Sequence, residues 1–328
     1  MLDRAYGALI GGAIGDAMGM PASFLTRRQI TATYGYIRDF LTPEKDVQSC
    51  HGNLKAGEIT DDTMESVIVS QVLIQHGEFS EDAFNAAMKK WAIEQKMLES
   101  TVIGPSTRRY LTALIEGTDP KLNAGKGVTN GSAMRVAPIG IRYHNDLSKC
   151  IEAAAASSLP SHGSKPAAAA ACAVAAGVAL GVHGGYTPLD ILRAAADAAV
   201  YGEKVGAEIT APSVSRRLKL VETIVDQARG ADISSVLDEL VAVFGASMMS
   251  YESVSIAFGA FYATDGHGAN GVLAAVNAGD DADTNGSICG NLCGAYSGAS
   301  TFPSLWRERV EASSGLDLEN TARLLLRL

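Results

Sequence analysis

The run Thr60-Asp61-Asp62-Thr63-Met64-Glu65-Ser66-Val67-Ile68-Val69-Ser70-Gln71-Val72-Leu73 carries the signals from which the rest of the chain is read. Met64, Val67, Ile68, Val72 and Leu73 recur at helical spacing, which gathers them on one face of an α-helix. Thr60 stands at an N-cap position, and Asp61 and Asp62 fall in the first turn, where the positive end of a helix favours carboxylates. Taken alone, this is an ordinary helix start. The same apolar period runs through 80–94, 147–157, 165–183, 188–200, 214–227, 250–262 and 316–326, whereas alternating runs of the strand type are scarce. The expectation is an all-α helical bundle.

No Pro/Ser-rich linker or charge block divides the 328 residues, so 1–328 is expected to be a single domain with a sizeable core. The longest stretch without helical pattern, 34–59, holds Gly35, Pro43, Gly52 and Gly57. A loop of that length is usually functional, for example a lid. The apolar fraction of 47% and charged fraction of 19% exclude a disordered chain. A net charge of -9 without a dense Lys/Arg run argues against nucleic acid as the main partner.

Cys50, Cys150, Cys172, Cys289 and Cys293 form no CxxC and no Cys/His pattern, which reads as reduced, buried thiols in a cytoplasmic protein. The apolar start from Met1 to Gly19 is interrupted by Asp3, Arg4 and Asp16, and no clean cleavage site follows, which argues against a signal peptide. The longest apolar run, 167–182, is mostly alanine and shorter than the ~20 residues of a bilayer span. It is expected to be a buried core helix, with no membrane partner.

Gly7, Gly11, Gly15 and Gly19 are spaced by four, as are Gly286, Gly290, Gly294 and Gly298. On a helix each set forms one stripe, at a local cost of about 1 kcal/mol per glycine relative to alanine. Something must therefore pack unusually close to the bare backbone. Close helix–helix approach explains most of these positions; at Gly15, Gly19 and Gly286, beside the acidic residues, room for a ligand competes with it.

A second acidic run, Asp280-Asp281-Ala282-Asp283-Thr284-Asn285-Gly286, precedes the second stripe. It holds more acidic and hydroxyl side chains than one cap requires. Two such starts packed side by side repel each other unless a cation lies between them. Carboxylate and hydroxyl oxygens suit the hard ions Mg²⁺ and Mn²⁺ rather than zinc, and this many acids suggests two ions. Two unrelated caps on opposite sides of the molecule remain the competing reading.

Five pieces in order, Gly15-Asp16-Ala17-Met18-Gly19, Gly57-Glu58-Ile59-Thr60-Asp61-Asp62-Thr63, Thr129-Asn130-Gly131-Ser132-Ala133-Met134-Arg135, Ser161-His162-Gly163 and Asp281-Ala282-Asp283-Thr284, span nearly the whole chain. Together they resemble the ADP-ribosylglycohydrolase family, which includes dinitrogenase-reductase-activating glycohydrolases and ADP-ribosyl-acceptor hydrolases. The resemblance implies a single-domain orthogonal helical bundle holding two Mg²⁺ or Mn²⁺ ions. It makes Thr60, Asp61, Asp62, Asp281, Asp283 and Thr284 the metal ligands, with Asp61, Asp62 and Asp281 central to catalysis. It places Asp16, Asn130, Gly131, Ser132, Met134, Arg135 and His162 around the substrate. Read on its own, the Asn130-Gly131 segment is a turn whose exposed N–H groups suit an anion. Arg135 either grips phosphate bidentately or pairs with a carboxylate at the edge of the core.

Ser23 departs from the pattern, standing where family members acting on ADP-ribosylated proteins commonly carry a glutamate. Asp280, where the family more often has glycine, is a second departure. The implied activity is metal-dependent hydrolysis of a glycosidic bond to ribose. The partner is a small ribosyl or ADP-ribosyl compound, and Ser23 favours the smaller, nucleoside-like class. The competing expectation is a non-enzymatic, crystallin-like binding protein on the same scaffold, which would not need all six ligand positions to be chemically competent.

Overall fold

Alanine side chains let helices approach one another closely, and the helix Lys165–His183 uses this at the centre of the molecule. It is buried from Pro166 to Val182. Helices Ala137–Arg142, Leu147–Ser158, Pro188–Val205, Ser250–Ala263 and Ala282–Ser297 all pack against it. A helix that is apolar all round belongs in a core or a membrane. By length and composition this one passes for a span, but it is packed inside the protein, as the buried-core expectation requires.

The computed structural model describes residues 1–48 and 50–327. Among them the regular elements are α-helices and short 3-10 turns, with isolated bridges and no strand. The anticipated helices appear as Asp61–His76, Glu81–Glu94, Leu147–Ser158, Lys165–His183, Pro188–Val205, Val214–Gln227, Ser250–Ala263 and Leu318–Leu326. Helices that the apolar period does not mark include Pro105–Glu116, Ile233–Phe244, Gly268–Val276 and Ser304–Ser314. Each is at most 12 residues long, so its apolar face repeats over few turns; Ser304–Ser314 buries only Val310.

The two glycine stripes face each other. Helix Leu2–Gly19 runs antiparallel to Ala282–Ser297, with Gly7 against Gly294, Gly11 against Gly290, Gly15 against Gly286 and Gly19 against Ala282. A Cβ on any of these four N-terminal glycines would strike the carbonyl oxygen of its opposite number, which is backbone and cannot swing away. The local cost of glycine is thus offset by contact between bare backbones along the largest helix–helix contact in the molecule. This corrects the expectation of ligand room at Gly15, Gly19 and Gly286: what fills their faces is the partner helix. Gly298, whose backbone still lies against Gly7, ends its helix at φ 86°, a left-handed conformation open to glycine.

This register brings the C-terminal end of helix Leu2–Gly19 to the N-terminal end of Ala282–Ser297. The stretch between helices Arg27–Tyr34 and Asp61–His76 closes over that junction, strapped down at two points. Ile37 exchanges hydrogen bonds with the Asn277 side chain (2.9 and 3.0 Å), and Gln48 Nε2 donates to Ser23 O (2.9 Å) and Met20 O (3.2 Å).

Candidate metal centre and cleft

Two helix starts meet at the end of the glycine contact. Thr60 caps helix Asp61–His76, its Oγ1 accepting from Asp62 N (3.3 Å). Its amide and those of the first turn are also bound from outside. The carboxylate of Asp16, on the N-terminal helix, accepts from Thr60 N (3.0 Å), Thr63 N (3.2 Å) and Thr63 Oγ1 (2.5 Å). Asp281 occupies the N-cap position of Ala282–Ser297 but makes no capping hydrogen bond. Its Oδ2 instead accepts from Asn130 Nδ2 (2.5 Å), on the turn before the short helix Gly131–Met134. The starts converge on one atom: Thr60 Oγ1 and Thr284 Oγ1 both donate to Asp62 Oδ2, each at 3.4 Å. Two caps on opposite sides of the molecule are thereby ruled out.

The electrostatics of this junction are lopsided. Asp16, Asp61, Asp62, Asp281 and Asp283 are all buried. The basic group that meets them is His51, from the strapped loop, whose Nε2 lies 3.0 Å from Asp283 Oδ2. Burial raises the Asp283 carboxyl, but His51 and the Ser23 hydroxyl outweigh it and hold the group below its ordinary range. Burial lowers His51, but contact with Asp283 outweighs that and raises it. The others have no such partner. Burial, opposed by Thr63 and Thr60, pushes Asp16 up to about 6. Burial and then Asp283 push Asp281 up to about 7. Asp61 and Asp62 are driven well above the usual carboxylate range, by burial first and then by neighbouring acids.

A buried acid set that cannot ionise together is a set short of positive charge. Two of its oxygens, Asp62 Oδ1 and Asp283 Oδ1, are buried with no hydrogen-bond partner. Among the described residues no three His, Cys, Asp or Glu side chains form a ready metal cage. The donors here are mixed, hydroxyls of Thr60 and Thr284 with carboxylates. Their hard-oxygen chemistry and the orphaned carboxylate oxygens fit Mg²⁺ or Mn²⁺.

Asp61, Asp62, Asp281, Asp283 and Thr284 open into a cleft, which Asn130, Gly131 and Met134 also line. Other candidates stand behind its wall. Ser132, Arg135 and His162 are fully buried. Ser132 Oγ donates to Ala167 O (3.3 Å). The Arg135 guanidinium pairs with Glu65 Oε2 (2.6 Å), donates to Ser161 Oγ (2.7 Å) and lies 4.8 Å above the Phe84 ring. Of the two roles weighed for it, the carboxylate pairing is the one made. His162 joins Ser161 Oγ (2.8 Å) to Thr129 Oγ1 (3.2 Å), its ring kept neutral by burial and by the Arg135 and Arg109 charges. A chain of buried polar contacts thus supports Thr129 and Gly131 from beneath. A side chain on Gly131 would run into His162 Nε2.

The cleft also has members that motif reading missed: Phe24, His51, Val102, Gly104, Thr107 and Met248. His51 had one available signal, its place in a loop too long to be idle. The others belong to no motif. Ser23 is buried at the end of the first glycine helix, where its Oγ donates to Gly19 O (3.4 Å). Asp280 sits at φ 54°, in the left-handed region that glycine enters freely.

The family model for ADP-ribosylglycohydrolase matches residues 1–328. The chain belongs to the ADP-ribosylglycohydrolase family. Among proteins similar to this family member, YegU of Escherichia coli is 29% identical, over 98% of this chain and 96% of YegU. The ADP-ribosyl-[dinitrogen reductase] glycohydrolase of Rhodospirillum rubrum is 25% identical, over 99% and 96%. A solved ADP-ribosylglycohydrolase-related protein shares the fold at a TM-score of 0.75 and 24% identity, over 99% of this chain and 98% of that one.

Proposed function

We propose that this ADP-ribosylglycohydrolase is a Mg²⁺- or Mn²⁺-dependent hydrolase of the glycosidic bond at C1 of a ribose, acting on a small, nucleoside-like compound. The observation that carries the reading is the buried acid junction with its two unpartnered carboxylate oxygens, open to a cleft. Thr60, Asp61, Asp62, Asp281, Asp283 and Thr284 would hold the metal. A divalent ion in such a site supplies fixed positive charge for sugar hydroxyls and lowers the pKa of water.

The chain's own residues do the positioning. Asp16 locks the first turn of Asp61–His76 through the Thr60 and Thr63 amides. Asn130 turns Asp281 away from its own helix and toward the cleft. Positive charge developing on the ribose ring as the bond breaks is met by acids already oriented, without reorganisation.

Ser23 favours a small substrate. A serine brings no charge to hold an adduct's cationic side chain. The competing reading, an ADP-ribosylated protein, draws on the Rhodospirillum rubrum relative. A panel of nucleosides and ADP-ribosyl-arginine, incubated with Mg²⁺, Mn²⁺ or EDTA, separates them. Metal-dependent release of base, lost in Asp61→Ala, is the expected result. Hydrolysis of ADP-ribosyl-arginine with every nucleoside inert would overturn the small-substrate reading.

A further inference from the structure

Phe24 is the one exposed phenylalanine of the chain's eight, at 40% exposure, and it lines the acidic cleft. Its backbone is at φ 65°, a left-handed conformation uncommon for any non-glycine residue and an outlier for a bulky one. The residue across from it is in the same region, Asp280 at φ 54°. The two are stapled together: Phe24 N donates to Asp280 O (2.5 Å), and Asp280 N donates to Leu25 O (2.7 Å). One peptide further on is Asp281. A strained aromatic residue is therefore tied through the backbone to a cleft carboxylate. Strain of this kind persists where the surroundings over-determine it, and it concentrates at ligand sites.

An unstrained backbone would not hold Phe24 in this conformation, and burial does not explain it, since the residue is left exposed. What this conformation secures is an aromatic face at a cleft otherwise dominated by acids and hydroxyls. Val102 and Met248 add apolar surface to the same cleft. Ser23, the adjoining residue, is neutral and adds no charge of its own beside the ring. The cleft thus has a polar side suited to ribose hydroxyls and an apolar aromatic element suited to a planar, uncharged ring.

We propose that Phe24 is the stacking platform for a planar aromatic leaving group, a nucleobase, and so determines which ribosyl compounds the cleft accepts. This rests on the ribosyl-hydrolase reading, and the test is built to separate the two. Binding of free nucleobases, free ribose and an alkylguanidinium is measured calorimetrically in Mg²⁺ for the wild type, Phe24→Leu and Phe24→Trp. Hydrolysis of nucleosides and of a ribosyl compound with an aliphatic leaving group is followed alongside. Thermal midpoints check that the variants are folded.

The expected result is that Phe24→Leu loses base affinity by roughly tenfold or more while keeping its affinity for ribose, and that Phe24→Trp retains both. Equal base affinity in wild type and Phe24→Leu overturns the proposal, as does wild type that binds no base. Phe24-dependent binding of guanidinium in preference to bases also overturns it. If the aliphatic riboside is hydrolysed while bases fail to bind, the hydrolase reading stands and the platform falls. If bases dock on Phe24 while every riboside is inert, the platform stands and the hydrolase reading falls.

Discussion

The two acidic helix starts look alike in sequence and are built differently. At Thr60-Asp61-Asp62 the chain caps itself: the threonine oxygen takes an amide, and a third carboxylate, Asp16, takes more. At Asp281-Ala282-Asp283 the carboxylate in the capping position leaves its own helix uncapped and is held by Asn130 from 151 residues away. The first start is stable as a piece of helix. The second has given up local stabilisation to aim an oxygen into the cleft, and the residues before it, Gly279 and Asp280, take left-handed backbone to allow this. A repeated motif is thus one helix end reinforced and one helix end sacrificed to a site.

The comparison can be broken most severely where both starts depend on one contact. Gly290→Leu puts a side chain into the Gly11 backbone, which has no rotamer to yield. A loss beyond the ~4–5 kcal/mol that marks exceptional substitutions is expected in denaturant titration. A loss below ~0.5 kcal/mol, the range of surface changes, would mean that the helices do not touch there.

The next effect separates the starts by metal. At 100 times its Kd a bound ion stabilises the fold by ~2.7 kcal/mol, so Mg²⁺ or Mn²⁺ should raise the thermal midpoint of the wild type. Asp281→Asn should abolish most of that rise. It should also leave the metal-free midpoint no lower than wild type, because Asp281 supplies no cap and its buried charge is unfavourable. A clearly lower metal-free midpoint would show that Asp281 stabilises the fold without the ion.

Thr60→Ala gives the smallest effect and sharpens the contrast. Loss of the cap should cost ~1 kcal/mol even in EDTA, and less if Asp16 holds the first turn by itself. Equal metal-free behaviour of Thr60→Ala and Asp281→Asn would erase the distinction between the two starts.

Much of this architecture was legible in advance, for a physical reason. Helical period, N-caps and the small-residue stripes are properties of neighbours within a few turns, so they show in the order of residues. The alanine-rich run 167–182 could only be stable if buried on all sides, and it is. The short helix Ser304–Ser314 escaped because a single buried residue sets no period. In the site, acids at helix starts were readable as types, but burial of Arg135 was not. Its guanidinium has the same chemistry whether it meets a phosphate or Glu65, and only the packing of Asp61–His76 against its neighbours selects the carboxylate. Phe24 was invisible as a site member, and His51 was signalled only by its long loop, because loop backbone, not side-chain pattern, brings them to the cleft.

By itself the sequence determined that the chain is helical, that two glycine faces need close partners, and that its acids suit a hard cation. Each follows from short-range sterics or from the chemistry of a side chain. Only the tertiary structure decided that the glycine faces partner each other, in the register that sets Gly15 on Gly286 and Gly19 on Ala282. That register carries Thr284 to within 3.4 Å of Asp62 across 222 residues of chain. A shift by one turn, about 5.4 Å, would keep every local preference and part the two halves of the site.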